Sequence, residues 1–172
     1  MILSVLSDSH GYTRNLREML ARQEALPPSQ RPELLLVLGD GVADLARVEL
    51  PEGLSVLAVR GNCDGTAAAE LPAERTLSLG GYRIVMMHGH TRGVKSSLVA
   101  AIGYAMQQEA DLLLYGHTHE AYATTVREGT VLFGAPVKKP LHIFNPGSLA
   151  EGSFGVIELS KKGIAMSHGF LY

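Results

Sequence analysis

Apolar residues in this chain form continuous runs and do not alternate strictly with polar residues. Five runs rich in Val, Ile and Leu cover residues 2–6, 33–40, 53–62, 82–90 and 111–119. Strands that are covered on both faces have this pattern, as in parallel sheets. The pattern therefore predicts five buried β-strands in the first two-thirds of the chain.

Two stretches between these runs have helical spacing. Residues 12–25 place Leu16, Met19, Leu20 and Leu26 near one stripe, and residues 93–110 do the same with Leu98, Ala101, Ile102, Ala105 and Met106. The Pro-rich stretch 25–33 between the first helix and the second strand is typical of a connector. Alternating strands and helices predict an α/β fold with crossover connections.

The last third of the chain has a different pattern. Short β-like runs separated by Gly, Pro and Lys cover residues 122–128, 129–135, 141–148, 154–160 and 162–172. They predict hairpins or a meander, with a turn at Ser160–Gly163.

Composition narrows the class of protein. A length of 172 residues predicts one domain over residues 1–172, and 46% hydrophobic with 19% charged residues is typical of a globular protein. A net charge of -2 without a long basic run argues against a dedicated nucleic-acid surface, so nucleic acid remains only as a candidate substrate. The apolar content allows a homodimer.

Cysteine usage and the first residues indicate a compartment. Cys63 is the single cysteine, which excludes an internal disulfide and fits a reducing environment. The opening apolar run lacks a basic leader and reaches Asp8 after a few residues, so it predicts neither a secretory signal nor a membrane span. We therefore expect a cytoplasmic protein with no membrane partner.

Each of the five apolar runs ends in side chains that carry chemistry. These are Asp8 and His10, then Asp40, then Asn62, Cys63 and Asp64, then His88 and His90, and last His117 and His119. In open α/β sheets, ligands bind beyond the carboxyl ends of the strands. The sequence therefore predicts that carboxylate, imidazole and amide groups converge in one region.

These residue types are ligands for Zn, Mn, Fe and similar divalent ions. Their number exceeds what one ion needs, and a shared carboxylate, with Asp40 as the central candidate, would bridge two ions about 3.5–4 Å apart. Each motif alone has an ordinary explanation as turn chemistry or a structural histidine. Five of the seven histidines of the chain lie at strand ends, which favours a functional site there. We interpret the other two, His142 and His168, as partly exposed strand residues.

The ordered motifs DSHG, GD, GNCD, HGH and GHTH, followed by NPGS at 145–148, resemble the calcineurin-like metallophosphoesterase superfamily. More narrowly, the chain resembles its small single-domain bacterial and archaeal phosphodiesterases. The resemblance implies a four-layer α/β/β/α sandwich of two mixed sheets flanked by helices. It also implies two divalent ions, commonly Mn²⁺ although Fe, Ni or Zn can occupy such sites.

The resemblance assigns the ligands residue by residue. One ion would be held by Asp8, His10, Asp40 and His119, and the other by Asp40, Asn62, His88 and His117. A hydroxide bridging the ions would attack a phosphodiester in line. Asn145 and Ser148 of NPGS would shape a turn beside the site.

One position departs from many superfamily members, which carry His after the Asn to assist the leaving group. Cys63 stands there instead, and the small phosphodiesterases often lack that His. A thiol near its ordinary pKa of about 8.5 is poorly matched to proton donation at pH 7. We therefore expect hydrolysis of diesters over monoesters. Asn62, Cys63 and His90 are candidate catalytic residues, although Cys63 as a small filler and His90 as support for a ligand are the alternatives.

A rival hypothesis is a protein-interaction scaffold related to a retromer subunit, in which several ligands of the same fold are replaced. All the assigned positions keep coordinating side chains here, which favours an enzyme. A metal-dependent sensor without turnover is the third interpretation.

Overall fold

The computed structural model describes residues 1–66 and 68–172. Its helices and strands follow the chain as β1 (Ile2–Leu6), α1 (Thr13–Glu24), β2 (Leu34–Val37), β3 (Ser55–Ala58), β4 (Glu74–Leu79), β5 (Tyr82–Met87), α2 (Val99–Gln107), β6 (Leu112–Tyr115), β7 (Ala121–Val126), β8 (Val131–Leu132), β9 (Ala135–Pro136), β10 (Leu141–Pro146), β11 (Ser153–Ser160) and β12 (Gly163–Phe170). Short 3₁₀ turns occupy several of the connections.

The strands form two mixed five-stranded sheets. The first has the order β12-β11-β1-β2-β3 and the second the order β4-β5-β6-β10-β7. In the first sheet β1, β2 and β3 run parallel, and in the second β5, β6 and β10 do. Antiparallel strands complete both sheets, while β8 and β9 form a separate small hairpin.

The two sheets pack face to face, and each carries one helix on its outer face. Leu3 and Val5 of β1 pack with residues such as Ile84 and Phe144 between the sheets. Leu6 of β1 instead packs with residues of α1, and α2 covers the outer face of the second sheet. Both faces of the central strands are therefore buried, which explains their continuous apolar runs. The predicted α/β/β/α sandwich is confirmed.

Several sequence predictions need correction in detail. The strand β4 was not predicted, because this edge strand is partly exposed and alternates apolar residues such as Leu77 with polar ones such as Ser78. The runs at 33–40 and 53–62 continue past the ends of β2 and β3 into loops. The predicted helix at 93–110 begins only at Val99, after a turn closed by the left-handed Gly93.

The last third is not one meander. Its strands divide between the sheets, with β7 and β10 in the second and β11 and β12 in the first. The turn predicted at Ser160–Gly163 is confirmed, since these two residues pair at the end of the β11–β12 hairpin.

In the part of the chain that the structure describes, no helix combines the length and apolarity that a membrane crossing needs.

Candidate metal centre

The backbone adopts a costly conformation at the ends of β1, β2 and β6. Seven non-glycine residues among those described have a positive φ. Five of them are predicted ligands, namely Asp8 (φ 56), His10 (φ 45), Asp40 (φ 54), His117 (φ 69) and His119 (φ 66). A left-handed conformation costs an ordinary residue roughly 1–2 kcal/mol. Such strain persists where the surrounding structure imposes it, and it concentrates at functional sites.

Asp8, His10 and His119 form a first group of converging ligand atoms. The Oδ1 atom of Asp8 lies 3.2 Å from Nε2 of His119 and 3.6 Å from Nε2 of His10. This Oδ1 is buried and has no hydrogen-bond partner. The other oxygen, Oδ2, accepts hydrogen bonds from the Ser7 hydroxyl and from the backbone N–H of His117. A buried carboxylate oxygen left unpaired among imidazole nitrogens fits a bound cation.

Asp40, His88 and His117 form a second group. The ring of His88 is held through Nδ1, which lies 2.9 Å from the Leu38 carbonyl oxygen. In the neutral tautomer Nδ1–H donates to that carbonyl, and the lone pair of Nε2 points into the group. There Nε2 lies 3.0 Å from Nδ1 of His117, 3.2 Å from Oδ1 of Asn62 and 3.3 Å from Oδ2 of Asp40. This convergence of electron-pair donors also fits a cation.

Asp40 lies between the two groups. Its Oδ2 is 3.3 Å from His88 Nε2 and 4.0 Å from His10 Nε2. Its Oδ1 accepts a hydrogen bond of 2.7 Å from the Cys63 N–H, which fixes the orientation of the carboxylate. One oxygen therefore faces ligand atoms of both groups.

Electrostatics keep Asp40 ionised and His117 neutral. Burial alone raises the pKa of Asp40, but hydrogen bonds from His88 and from the Cys63 N–H bring it well below its ordinary value. Burial and the neighbouring His88 lower the pKa of His117. Burial also lowers the pKa of His88, yet Asp40, Asp8 and the hydrogen bond to the Leu38 carbonyl together more than offset it, and the net shift is upward. A deprotonated carboxylate and a neutral imidazole are the forms that coordinate metals.

The candidate catalytic side chains surround these groups. Cys63 is exposed, and its Sγ lies with ligand atoms of His10 and Asp40 inside one cluster. Burial and Asp40 raise the pKa of its thiol. The ring of His90 lies 5.4 Å from that of His88, and its buried Nδ1 has no hydrogen-bond partner. Burial and His88 lower the pKa of His90.

A family model described as the calcineurin-like phosphoesterase superfamily domain matches residues 1–167. The chain belongs to the calcineurin-like phosphoesterase superfamily. It is 30% identical over 149 residues to the probable metallophosphoesterase YsnB of Bacillus subtilis, covering 87% of this chain and 75% of that protein. It is 29% identical over 195 residues to the phosphodiesterase YfcE of Escherichia coli, covering 99% of this chain and 87% of that protein.

Solved structures share the fold. A crystal structure of a conserved protein from Streptococcus pneumoniae, described as a predicted phosphoesterase, aligns with a TM-score of 0.60 at 22% identity, covering 98% of this chain and 97% of that one. A Vps29 variant from Entamoeba histolytica aligns with a TM-score of 0.65 at 21% identity, covering 100% of both chains. Together with the superfamily membership, the relatives support a metal-dependent phosphoesterase.

Two residues that tie together the loops of the candidate metal centre were not predicted as ligands or catalytic residues. The carboxylate of Asp64 accepts hydrogen bonds from the backbone N–H groups of Asp40, Gly41, Val42 and Gly61, at 2.7–2.9 Å. It ties the loop after β2 to the loop after β3. Asp44, which is buried, accepts hydrogen bonds from the Ser9 hydroxyl and the backbone N–H of Gly11, and so ties the loop after β1. Asp64 stands in the motif GNCD. In sequence, however, an aspartate that accepts hydrogen bonds from distant backbone N–H groups looks the same as an aspartate in an ordinary turn.

Close backbone approach explains two of the glycines. A Cβ atom at Gly61 would overlap Oδ1 of Asp40, and one at Gly116 would overlap the hydroxyl of Ser7. Any larger residue would displace the loops that carry Asp40 and His117.

The NPGS segment braces the same loops. Asn145 donates to the Gly116 carbonyl and to the Thr118 hydroxyl, and Ser148 donates to the Asp8 carbonyl. His142 and His168 lie in β10 and β12 and are partly buried, as predicted. They bind Thr125 and the Asn145 carbonyl, respectively.

Proposed function

We propose that the chain, acting as one domain over residues 1–172, is a phosphodiesterase that works with two divalent metal ions. Asp8, His10, Asp40 and His119 would hold one ion, and Asp40, Asn62, His88 and His117 the other. The observation that carries the proposal is the position of Asp40 Oδ2, which faces histidine nitrogens of both groups at 3.3 and 4.0 Å.

The ligand charges suit an anionic substrate. Asp8 and Asp40 are the two carboxylates of the proposed set, and the remaining ligands are neutral imidazoles and one amide. Two divalent ions would therefore leave the centre net positive, which favours a phosphodiester anion over a neutral ester. Bound ions of this kind act as Lewis acids toward phosphoryl oxygens and lower the pKa of a coordinated water.

The residues of the chain keep this ligand set in place. Leu38 fixes the His88 ring through its carbonyl oxygen, and the Cys63 N–H fixes the Asp40 carboxylate. Nitrogen ligands together with carboxylate and amide oxygens accept several divalent ions. We propose Mn²⁺ as the working ion, with Fe, Ni and Zn as the other candidates.

Cys63 supports a preference for diesters. Burial and Asp40 raise the pKa of its thiol, so the thiol is a weak proton donor to a leaving alkoxide near pH 7. A diester with a good leaving group does not need that proton. Cys63→His would place an imidazole there, and we expect monoester hydrolysis to rise about tenfold or more. Monoester and diester rates measured on both proteins test this, and an unchanged monoester rate would contradict the leaving-group explanation.

The function is tested by stripping the protein of metal and reloading it with single divalent ions. We expect Mn²⁺ to restore hydrolysis of bis(4-nitrophenyl) phosphate far more than hydrolysis of 4-nitrophenyl phosphate. His142→Ala serves as the control, because this histidine lies in β10 and binds Thr125. Failure of every ion to restore turnover, with two ions bound, would reject the enzyme.

That failure would favour the alternative of a non-catalytic interaction module. Its support is the fold shared with Vps29, and at 21% identity this likeness concerns the fold alone. The complete ligand set at the metal centre supports the enzyme instead.

A further inference from the structure

A cavity of about 490 Å³ lies beside the candidate metal centre, on the outer face of the second sheet. Its wall includes Thr118 and Glu120, on the same loop as His117 and His119. Thr118 lies between these two histidines in sequence, so the loop that carries candidate ligands also forms the cavity wall. The cavity volume is within the range of about 300–1,000 Å³ that small-molecule sites occupy.

Part of the cavity lining is apolar or aromatic. Val94 and Leu98, just before α2, line one side, while Tyr115 of β6 and Tyr122 of β7 line the sheet side. Tyr122 is 44% exposed although it is a large aromatic side chain. These surfaces suit a flat, uncharged ring.

The charges at the rim limit the occupant further. Lys95 and Glu120 are both exposed lining residues of the cavity. The Lys95 ammonium can attract the phosphoryl charge at the centre, whereas the Glu120 carboxylate disfavours a second anionic group in the cavity. The occupant that fits is therefore neutral and attached to the phosphate.

We propose that this cavity binds an aromatic ester group of the phosphodiester substrate. The inference rests on the proposed function, because a diester carries an organic group besides the one that leaves. Substrates with an aryl or nucleobase-sized retained group would gain contacts with Tyr122 and Leu98 that a methyl ester cannot make. The cavity thus selects among diesters that share one leaving group.

The test compares two substrates on the Mn²⁺-loaded protein, bis(4-nitrophenyl) phosphate and methyl 4-nitrophenyl phosphate. Both release 4-nitrophenol, so the ratio of their kcat/KM values reports the retained group. We expect Tyr122→Ala to reduce this ratio by roughly two- to tenfold, mainly through KM. Tyr122→Phe should keep the ratio, because the ring remains. Tyr172→Ala, at a side chain that is 89% exposed elsewhere, should leave it unchanged.

A binding measurement separates this inference from the proposed function. Diphenyl phosphate, titrated into the metal-loaded protein and followed by NMR, should bind the wild type more tightly than Tyr122→Ala by a similar factor. Equal substrate ratios and equal affinities in wild type and Tyr122→Ala would overturn the inference and leave the phosphodiesterase standing. The binding comparison tests the inference even if neither diester is hydrolysed, because equal affinities would overturn it. Absence of hydrolysis would by itself reject only the proposed function.

Discussion

The two sheets contribute different chemistry to the candidate metal centre. The loops of the first sheet supply both carboxylates, Asp8 and Asp40, together with Asn62 and His10, whereas those of the second sheet supply only imidazoles. The two ligand groups, Asp8 with His10 and His119 and Asp40 with His88 and His117, nevertheless each draw on both sheets. Neither sheet alone therefore forms either of these groups, and both exist only when the two sheets pack together.

The loops of the two sheets are also fixed differently. Those of the first sheet are tied by carboxylates that accept backbone N–H groups, at Asp44 and Asp64. In the second sheet, the Leu38 carbonyl holds the His88 ring and the Asn145 amide holds the loop of His117, while one charge-assisted bond, from the backbone N–H of His117 to Asp8, joins that loop to the first sheet. Charge-assisted bonds are roughly twice as strong as neutral ones. We infer that the first sheet has more of the strong ties, and that the loop of His117 depends on one of them.

Removing the central carboxylate should have the largest effect. We expect Asp40→Asn to lower hydrolysis by at least about a thousandfold, which corresponds to about 4 kcal/mol, because both groups lose their shared charge. Elemental analysis should show a loss of both ions. Asp111→Asn is the matched control, since Asp111 pairs with Lys139 at the opposite end of β6. Full activity and metal content in Asp40→Asn would refute the bridging role.

Replacing single histidines of the second sheet should show that the two ligand groups bind separate ions. His117→Ala should weaken binding of the ion at Asp40 and His88, and His119→Ala that of the ion at Asp8 and His10. We expect each loss of affinity to exceed the roughly 10–100-fold that follows loss of an outer partner of a ligand. Calorimetric titration with Mn²⁺ should resolve one tight and one weakened site in each variant. Equal weakening of both sites in both variants would show that the groups do not bind separate ions.

The smallest expected effect concerns the hydrogen bonds that Glu74 of the second sheet makes with the turn after β5. Glu74 accepts two hydrogen bonds from Arg92 and one from Thr91, and so fixes the turn that carries His90. Glu74→Gln should lower the free energy of unfolding at pH 7 by about 1–2 kcal/mol, or the melting temperature by roughly 2–8 °C. The exposed pair of Glu18 with Arg22 gives the control, and Glu18→Gln should change little.

The pH dependence of this effect has a definite sign. The hydrogen bond from Arg92 lowers the pKa of Glu74, and burial opposes it only in part. A lowered pKa in the folded protein stabilises it above the unfolded pKa of about 4.3, and the stabilisation is lost as the pH falls through the folded value. The difference between wild type and Glu74→Gln should therefore be full at pH 7 and shrink below about pH 4. A difference that stays constant down to pH 3 would exclude the ion pair as its cause.

Sequence predicted most of the fold, because strands buried on both faces leave continuous apolar runs. It also predicted where the site lies, because the apolar runs mark the ends of the strands and histidines follow several of those ends directly. It missed β4, whose alternation marks an edge strand. It also missed the roles of Asp44 and Asp64, since these depend on which backbone N–H groups from distant loops come within reach.

The left-handed backbone at Asp8, His10, Asp40, His117 and His119 has a consequence for engineering. Glycine adopts this conformation freely and aspartate tolerates it, so glycine would relieve most strain at the histidines among these positions. A library selected only for resistance to heat, without metal, would therefore enrich glycine at His10, His117 and His119, and the most stable variants would have lost side chains that we propose as metal ligands.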